Sequence, residues 1–369
     1  MAKFTDIFSD ETKRGHKLQT SEYLPLGKYP IIDQGQSQII GYTNLENGLF
    51  TDVPAIIFGD HTRIVKYVDS PFFLGADGVK VLKVKVSDAD YKYLFYCLQN
   101  VKIPNTGYNR HFKWLKEANI PLPDLDKQRK IAAVLDKVSD LIAKHRQQLD
   151  KLDELVKSRF IEMFGDLADP ACDWPQSKLT EVCADPDDIK CGPFGTQLNK
   201  AEYRHEGVAL WEIPQINAQF RVEPTHYLDF DKAAELDAYS IIPGDIAMSR
   251  KGNVGQCAVF PCDYMPGIIH SDVLRIRVDS GKMVPIFMMY QLHYSGTVKR
   301  QIEQVSSGAI MAGINVTKLK SIMVHLPPLE LQEQFADFVT QIDKSKLAIK
   351  QSLEKLGTLK KSLMQQYFG

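Results

Sequence analysis

Apolar residues follow two different rhythms along this chain. From Leu125 to Phe164 they return at alternating steps of four and three: Ile131, Leu135, Val138, Ile142, then Leu149, Leu152 and Val156, with His145 as the one interruption. That spacing is the seam of a coiled coil and predicts a helix that begins near Leu125 and runs close to Phe164. Val134, Leu141 and Leu155 widen the stripe to roughly 100°, more than a two-helix seam uses, so a further surface is expected to pack there. At about 1.5 Å per residue, a helix of roughly 40 residues is a rod of about 60 Å, too long for the interior of a compact head. Phe335, Val339, Ile342, Ile349, Leu353, Leu356 and Leu363 repeat the seam near the other end of the sequence, with Lys346 and Gly357 as its interruptions.

The second rhythm is that of short strands split by turn signals. Pro30-Ile31-Ile32-Asp33-Gln34-Gly35-Gln36 reads as a strand entering a turn, and Ala55-Ile56-Ile57-Phe58-Gly59-Asp60 as a buried strand reaching a polar loop. Val79 to Lys85 alternates at period two, and Asp90 to Asn100 fits a helix with Tyr93, Leu94, Tyr96, Cys97 and Leu98 as its apolar content. Strand signals return at Val208 to Ile213, Asp245 to Arg250 and Val273 to Val278. Ala76-Asp77 precedes an alternating strand as Ser271-Asp272 does, and Tyr96 and Leu98 correspond to Tyr290 and Leu292, so the two strand-rich regions are expected to share a fold.

The long stretch occurs twice. Leu122 to Gly165 aligns without gaps on Leu326 to Gly369, and Leu125, Gln128, Ala132, Gln147, Leu149, Lys151, Leu152, Leu155, Lys157, Ser158, Phe164 and Gly165 all recur. An internal duplication follows. The predicted organisation is a head over 1–121, a helix over 122–165, a linker over 166–173, a second head over 174–325 and a second helix over 326–369. The predicted fold class is α+β: two mixed α/β heads separated by two long antiparallel coiled-coil helices, a pseudo-two-fold dumbbell. His145 and Lys346 interrupt the seam at non-equivalent heights, and a role in fixing helix register is expected of them.

Composition changes little. Hydrophobic content of 44%, charged content of 25% and a net charge of −1 are those of an ordinary soluble protein and leave the partner class open. The six cysteines form no Cys-x-x-Cys pair, which fits reduced thiols, and no stretch approaches the length of a membrane span. A soluble, cytoplasmic protein is expected.

Catalytic signatures are missing from the sequence. It has no Gly-x-x-x-x-Gly-Lys-[Ser/Thr] loop, no Asn/Asp-Pro-Pro-aromatic motif, no Gly-x-Ser-x-Gly and no His-Glu-x-x-His. Asp187, Asp188 and Lys190 superficially resemble a nuclease core. That core needs its acids on separate strands to share a metal, so a turn is the expected reading, as it is for Gly192-Pro193-Phe194-Gly195-Thr196-Gln197. Polar loops offer binding chemistry instead. In the first head these are Gln34, Gln36, His61, Thr62, Arg63, Asn109, Arg110, His111 and Lys113; in the second, Gln215, Asn217, Ser249, Arg250, Lys251 and Asn253. Arg suits guanine and Asn or Gln suits adenine in the major groove, while Lys and Ser favour phosphate. Each cluster alone is ordinary loop polarity; the duplication, with unlike loops, raises its weight.

Taken together the chain resembles the specificity subunits of type I restriction-modification enzymes. Ile120 to Gln128 resembles the Pro-Leu-Pro-x-Leu-x-x-Gln signature opening that family's central helix, and Leu326 to Gln332 resembles the distal one. Gly27 to Gln36 and Gly107 to Leu115 resemble one class of target recognition domain, and Gly244 to Gly252 with Ser307-Gly308-Ala309-Ile310 another. The resemblance implies that each head reads one half of a bipartite sequence in double-stranded DNA. It implies that the helices set the unread spacer and dock two modification subunits. S-adenosylmethionine, ATP and Mg²⁺ would then reside in the methyltransferase and restriction subunits and none in this chain. The competing readings are a nuclease acting alone through Asp187, Asp188 and Lys190, and a protein-binding scaffold. The first head is about 30 residues shorter than the second, and part of the excess is placed around Ser295 to Gln304.

Overall fold

The computed structural model describes residues 1–75, 77–107, 109–167, 169, 172–306, 313–314 and 316–369. Tyr108, Ala76 and the stretch Ser307-Gly308-Ala309-Ile310, which contributed to the sequence comparison, lie outside the described residues. The two long helices span Leu125–Phe164 and Leu329–Phe368, 40 residues each, as the seams predict. The chain forms two compact units. Met1–Gln148 with Ile349–Gly369 makes the first, and Leu149–Ala348 the second, so each unit holds a head and a part of both long helices.

In the first unit an antiparallel sheet runs in the order Phe8–Asp10, Val79–Val84, Ala55–Gly59, Val65–Val68. A three-stranded sheet runs Gly41–Thr43, Tyr29–Ile32, Phe73–Leu74, its last two strands parallel. Ala2–Lys3 pairs with Asn119–Ile120 just ahead of the central helix. The helix Tyr91–Asn100 is started by Asp90, whose carboxylate accepts from the Tyr93 amide at 2.9 Å, satisfying one of the orphan donors of the first turn. Tyr93, Leu94, Tyr96, Cys97 and Leu98 are buried with Ile131, Ala132 and Leu135 of the central helix, while Tyr367 and Phe368 of the distal helix pack on the same core. Burial pushes the Cys97 thiol up to about 12, so it stays protonated and inert.

The second unit repeats this plan. Its antiparallel sheet runs Ile189–Cys191, Val273–Ile276, Ile246–Ser249, Cys257–Val259. The other sheet runs His226–Leu228, Val208–Trp211, Gly267–Ile269, Ser240–Ile241, with the middle pair parallel. Gln176–Lys178 pairs with Met323–His325 ahead of the distal helix. Strand order thus matches between the heads, the second adding Ser240–Ile241 at one sheet edge. It also adds the helix Gly296–Ser306, where the length excess was placed. The strand expected over Val208 to Ile213 stops at Trp211. Pro214 falls in the first turn of a short helix Ile213–Asn217, where its missing N–H costs nothing.

The repeated glutamine explains the repeated signature. In the first unit the fully buried Gln128 accepts from the Asp90 amide at 2.9 Å and donates to the carbonyls of Asp88 (3.1 Å) and Pro123 (2.7 Å). In the second, Gln332 accepts from Val284 at 2.9 Å and donates to Lys282 (3.2 Å) and Pro327 (2.8 Å). Each glutamine ties the start of a long helix to the residues that open the head's helix, and only a side chain with both donor and acceptor can do so.

Seam positions divide by depth. Ile131, Leu135, Val138 and Val156 are buried, as are Phe335 and Val339. Ile142, Leu149, Leu152, Ile342, Ile349, Leu353, Leu356 and Leu363 are half-buried. The stripe-widening residues Val134, Leu141 and Leu155 remain 38%, 44% and 46% exposed. The helices run antiparallel within each unit. In the first, His145 Nε2 lies 3.0 Å from Ser352 Oγ. In the second, Phe160 packs edge-on to Phe335, and the buried Lys346 ammonium meets Asp153 at 2.6 Å and Asp343 at 3.7 Å.

Candidate nucleic-acid interface

In the first head, the loops after Tyr29–Ile32, Ala55–Gly59 and Phe73–Leu74 meet around Gln34. Its side chain donates to the Asp77 carbonyl at 2.7 Å and accepts from the His61 amide at 3.1 Å, while its own carbonyl accepts from Thr62 Oγ1 at 2.6 Å. Gly78 makes this convergence possible. It sits at φ +80°, and a Cβ there would come within 2.7 Å of His61 and 2.9 Å of Gln34. Lys66, 3% exposed at its side chain, reaches Asp33 at 3.2 Å and the Ser37 carbonyl at 2.6 Å, pinning the turn from below. Burial lowers its pKa, only partly offset by Asp33.

The expected DNA-contacting residues therefore separate. Gln34 and Thr62 hold the loops in shape. Arg63 adopts a left-handed backbone at φ 63°, rare for such a residue, and donates to the Ile103 carbonyl at 3.3 Å. His61 is half-buried. His111 corrects the sequence reading: it is fully buried, with both its amide and Nδ1 at the Asp60 carbonyl (2.7 and 3.0 Å), and starts the helix Phe112–Lys116. A side chain with no accessible surface offers nothing to a base. Gln36, Asn109, Arg110 and Lys113 are exposed, Asn109 bonded to the Thr106 carbonyl and Lys113 lying 4.2 Å over the Trp114 ring.

The second head divides similarly. Gln215 is 1% exposed, accepting from Glu212 at 3.2 Å and donating to the Glu223 carbonyl at 3.0 Å. Ser249 is fully buried, 3.4 Å from Asn217. Both were expected at the surface; Gln215 instead closes its own loop and Ser249 ties the end of a strand to Asn217, because a buried amide or hydroxyl must be paired. Asn217 and Asn253 are exposed. Arg250 and Lys251 begin the 250–256 turn between Ile246–Ser249 and Cys257–Val259, whose Gly252 and Gly255 take φ of +68° and +84°. Lys251 pairs with Asp272 at 2.8 Å. Below them Asp245, 1% exposed, accepts two bonds from Arg277 at 2.7 and 2.8 Å.

The Gly192–Gln197 stretch is the turn expected of it, but its Phe194 ring lies 4.8 Å from the Arg250 guanidinium carbon and Asp272 pairs with Lys251, two contacts that no sequence signal marks. Asp187 and Asp188 do form a turn: Asp188 accepts from the Asp185 amide at 3.0 Å, and Asp187 lies 3.8 Å from both Lys190 and Lys320. Among the described residues no helix is long and apolar enough to cross a membrane.

Matching sheets carry unlike polar loops, and each head is joined to a long helix by the same glutamine clasp. The family model for the type I restriction modification DNA specificity domain matches residues 1–154 and 173–356, and the chain belongs to that family. It is a DNA-recognising specificity subunit, the non-catalytic component of such a system. Two Methanocaldococcus jannaschii relatives are each 24% identical: the provisionally named MjaX specificity subunit, over 82% of this chain and 73% of its own length, and the MjaVIII specificity subunit, over 79% and 74%. A type I restriction enzyme specificity subunit of Escherichia coli is 21% identical over 98% of this chain and 91% of its own. The crystal structure of a type I restriction-modification S subunit from M. genitalium shares the fold at TM-score 0.64 and 17% identity, covering 100% of this chain and 95% of that one. A chain from a type I system studied for complex assembly and conformational transition aligns at TM-score 0.54 and 19% identity, with coverage of 100% and 95%.

Proposed function

We propose that each head reads one half of a bipartite double-stranded DNA target. On this reading the long helices set the unread spacer and dock two modification subunits, and restriction subunits join the same assembly. The observation that carries it is the repetition of one strand order in both heads beneath loops that share almost no side chains. A common scaffold with independent loops suits two independent short sequences. Val134, Leu141 and Leu155 support the docking role, since three large apolar groups at seam-flanking positions stay exposed.

S-adenosylmethionine, ATP and Mg²⁺ belong, on this reading, to the modification and restriction subunits. The site of action is the cytoplasm, where the DNA is. Exchanging one head for that of a relative and mapping methylated adenines tests the reading directly. One half of the motif should change while the other half and the spacer persist; a motif that ignores the exchange overturns it.

A further inference from the structure

Arg250 is held in a way that sets it apart from the other cations of its head. The loop Gly192–Gln197 passes beneath it, and its guanidinium carbon lies 4.8 Å from the centroid of the Phe194 ring. Phe194 is itself 45% exposed, so the pair stands at the surface of the head. On one edge, Arg250 Nε donates to the Ile314 carbonyl at 3.1 Å. The backbone is fixed on both sides as well: the Arg250 amide donates to the Asp272 carbonyl at 2.9 Å, and its carbonyl accepts from Ile314 at 3.2 Å. One face and one edge of the fork are thus occupied. Among the described residues no carboxylate pairs with the remaining edge, and residues 307–312, which precede Ile314 in sequence, include no Asp or Glu.

Neighbouring cations are spent differently. Lys251 is neutralised by Asp272 at 2.8 Å, and Arg277 by two bonds to Asp245. Arg275, 4% exposed, donates to the carbonyls of Ser240 and Asp187. A phosphate takes a swinging lysine as a point charge or an arginine as a fork, so it does not require a pre-set plane. A guanine edge asks for two donors in one plane at fixed separation, the geometry that a pre-set guanidinium offers to O6 and N7. Stacking on Phe194 lowers the side-chain entropy lost on binding.

We propose that Arg250, its plane set by Phe194, reads a guanine through the major groove in the half-site recognised by the second head. The assignment deepens the specificity-subunit reading and rests on it. Neither residue is a structural necessity of the sheet: both sit on loops.

The test uses the complex of this chain with its modification subunits and duplexes carrying its methylated motif. Each guanine is replaced in turn by 7-deazaguanine, which lacks the N7 acceptor. The wild-type complex should lose roughly tenfold to a hundredfold in affinity at one guanine of one half-site. Arg250→Ala and Arg250→Lys should no longer distinguish guanine from 7-deazaguanine there, with every other position read normally. Phe194→Leu should relax the same position to a smaller degree. The lysine variant keeps the charge, so a near-UV circular dichroism spectrum matching wild type guards against misfolding. The proposal is overturned if Arg250→Lys preserves discrimination at every guanine, or if Arg250→Ala weakens all duplexes equally with a salt slope lower by about one, the mark of a phosphate contact. A half-site without guanine overturns it too. Were the wild-type complex to prefer no DNA sequence, the specificity-subunit reading would fall first, a distinct result.

Discussion

Gln128 holds the backbone at Asp90: its Oε1 accepts the Asp90 amide at 2.9 Å, and the same residue's carboxylate caps the helix Tyr91–Asn100. One residue is thereby bonded through its backbone to the long helix and through its side chain to the head. Replacing Gln128 by Ala leaves two carbonyls and one amide without their partner, of which the exposed Asp88 carbonyl can turn to water. Each such loss costs about 1–3 kcal/mol where water cannot enter, so a destabilisation of about 3 kcal/mol is expected. Urea titration should show a comparable loss for Gln332→Ala, which makes the matching three bonds in the second unit. Glu at either position should do no better, lacking the donor.

Acid should loosen the second unit before it titrates ordinary carboxylates. Burial, with a smaller push from Lys299, holds His293 below the usual histidine value, and burial alone does so for His325. Both act as neutral acceptors: His293 Nε2 lies 3.4 Å from the Cys257 amide, and His325 Nε2 lies 2.9 Å from Gln176 Nε2. A depressed folded pKa means the unfolded chain takes up the proton first. The stability contributed by the neutral rings is therefore complete above about 6.5 and is lost as pH falls below it. Thermal melts from pH 7.5 to 5 should show a falling Tm, with a shallower slope for His293→Gln. A Tm flat over that range would refute the assignment.

Exposed apolar positions should govern behaviour in isolation. Val134, Leu141 and Leu155 are large apolar side chains left exposed on the central helix, so the chain alone should self-associate. Changing all three to Ser should raise the monomer fraction in sedimentation velocity and reduce capture of the modification subunits. Unaltered capture would place the docking surface elsewhere.

Polar residues in the seam invite a sharper expectation. Lys346 is buried while its partner Asp153 is well exposed, and Asp343 stands by at 3.7 Å. Lys346→Met should leave stability unchanged or raise it in urea titration, since it removes a buried ammonium while the Asp153 and Asp343 carboxylates left behind stay in water. Register need not depend on His145 either. In its unit the head already grips both helices, through Leu135 on one and Phe368 on the other. His145→Leu is thus expected to leave the methylated spacer unchanged; a shifted spacer would make the bond to Ser352 a register lock.

The long helices were legible because their signal is long and periodic. Forty residues of four-and-three spacing outweigh any local ambiguity, and both ends fall where the pattern stops. The shared plan of the heads was visible only in fragments such as Tyr96 and Tyr290, since short strands carry few residues each. Loop chemistry was the least legible. Gln34, His111, Gln215 and Ser249 look like surface readers in a one-dimensional string, yet each is bonded inside its head: Gln34 to Asp77 and His61, His111 to Asp60, Gln215 to Glu223 and Ser249 to Asn217. Polar residues that stabilise loops and polar residues that bind ligands are the same types, and only burial and partner atoms separate them. Phe194 illustrates the converse, a residue set aside as part of a turn whose neighbour in space is 56 positions away.

The division of the long helices between units has a consequence for biosynthesis. The core around Tyr93 and Tyr96 is covered in part by Leu363, Tyr367 and Phe368. Leu149–Ala348 contains everything its own unit needs. A nascent chain therefore makes the first head first and finishes it last: the apolar patch it is born with waits uncovered while some two hundred further residues emerge and fold.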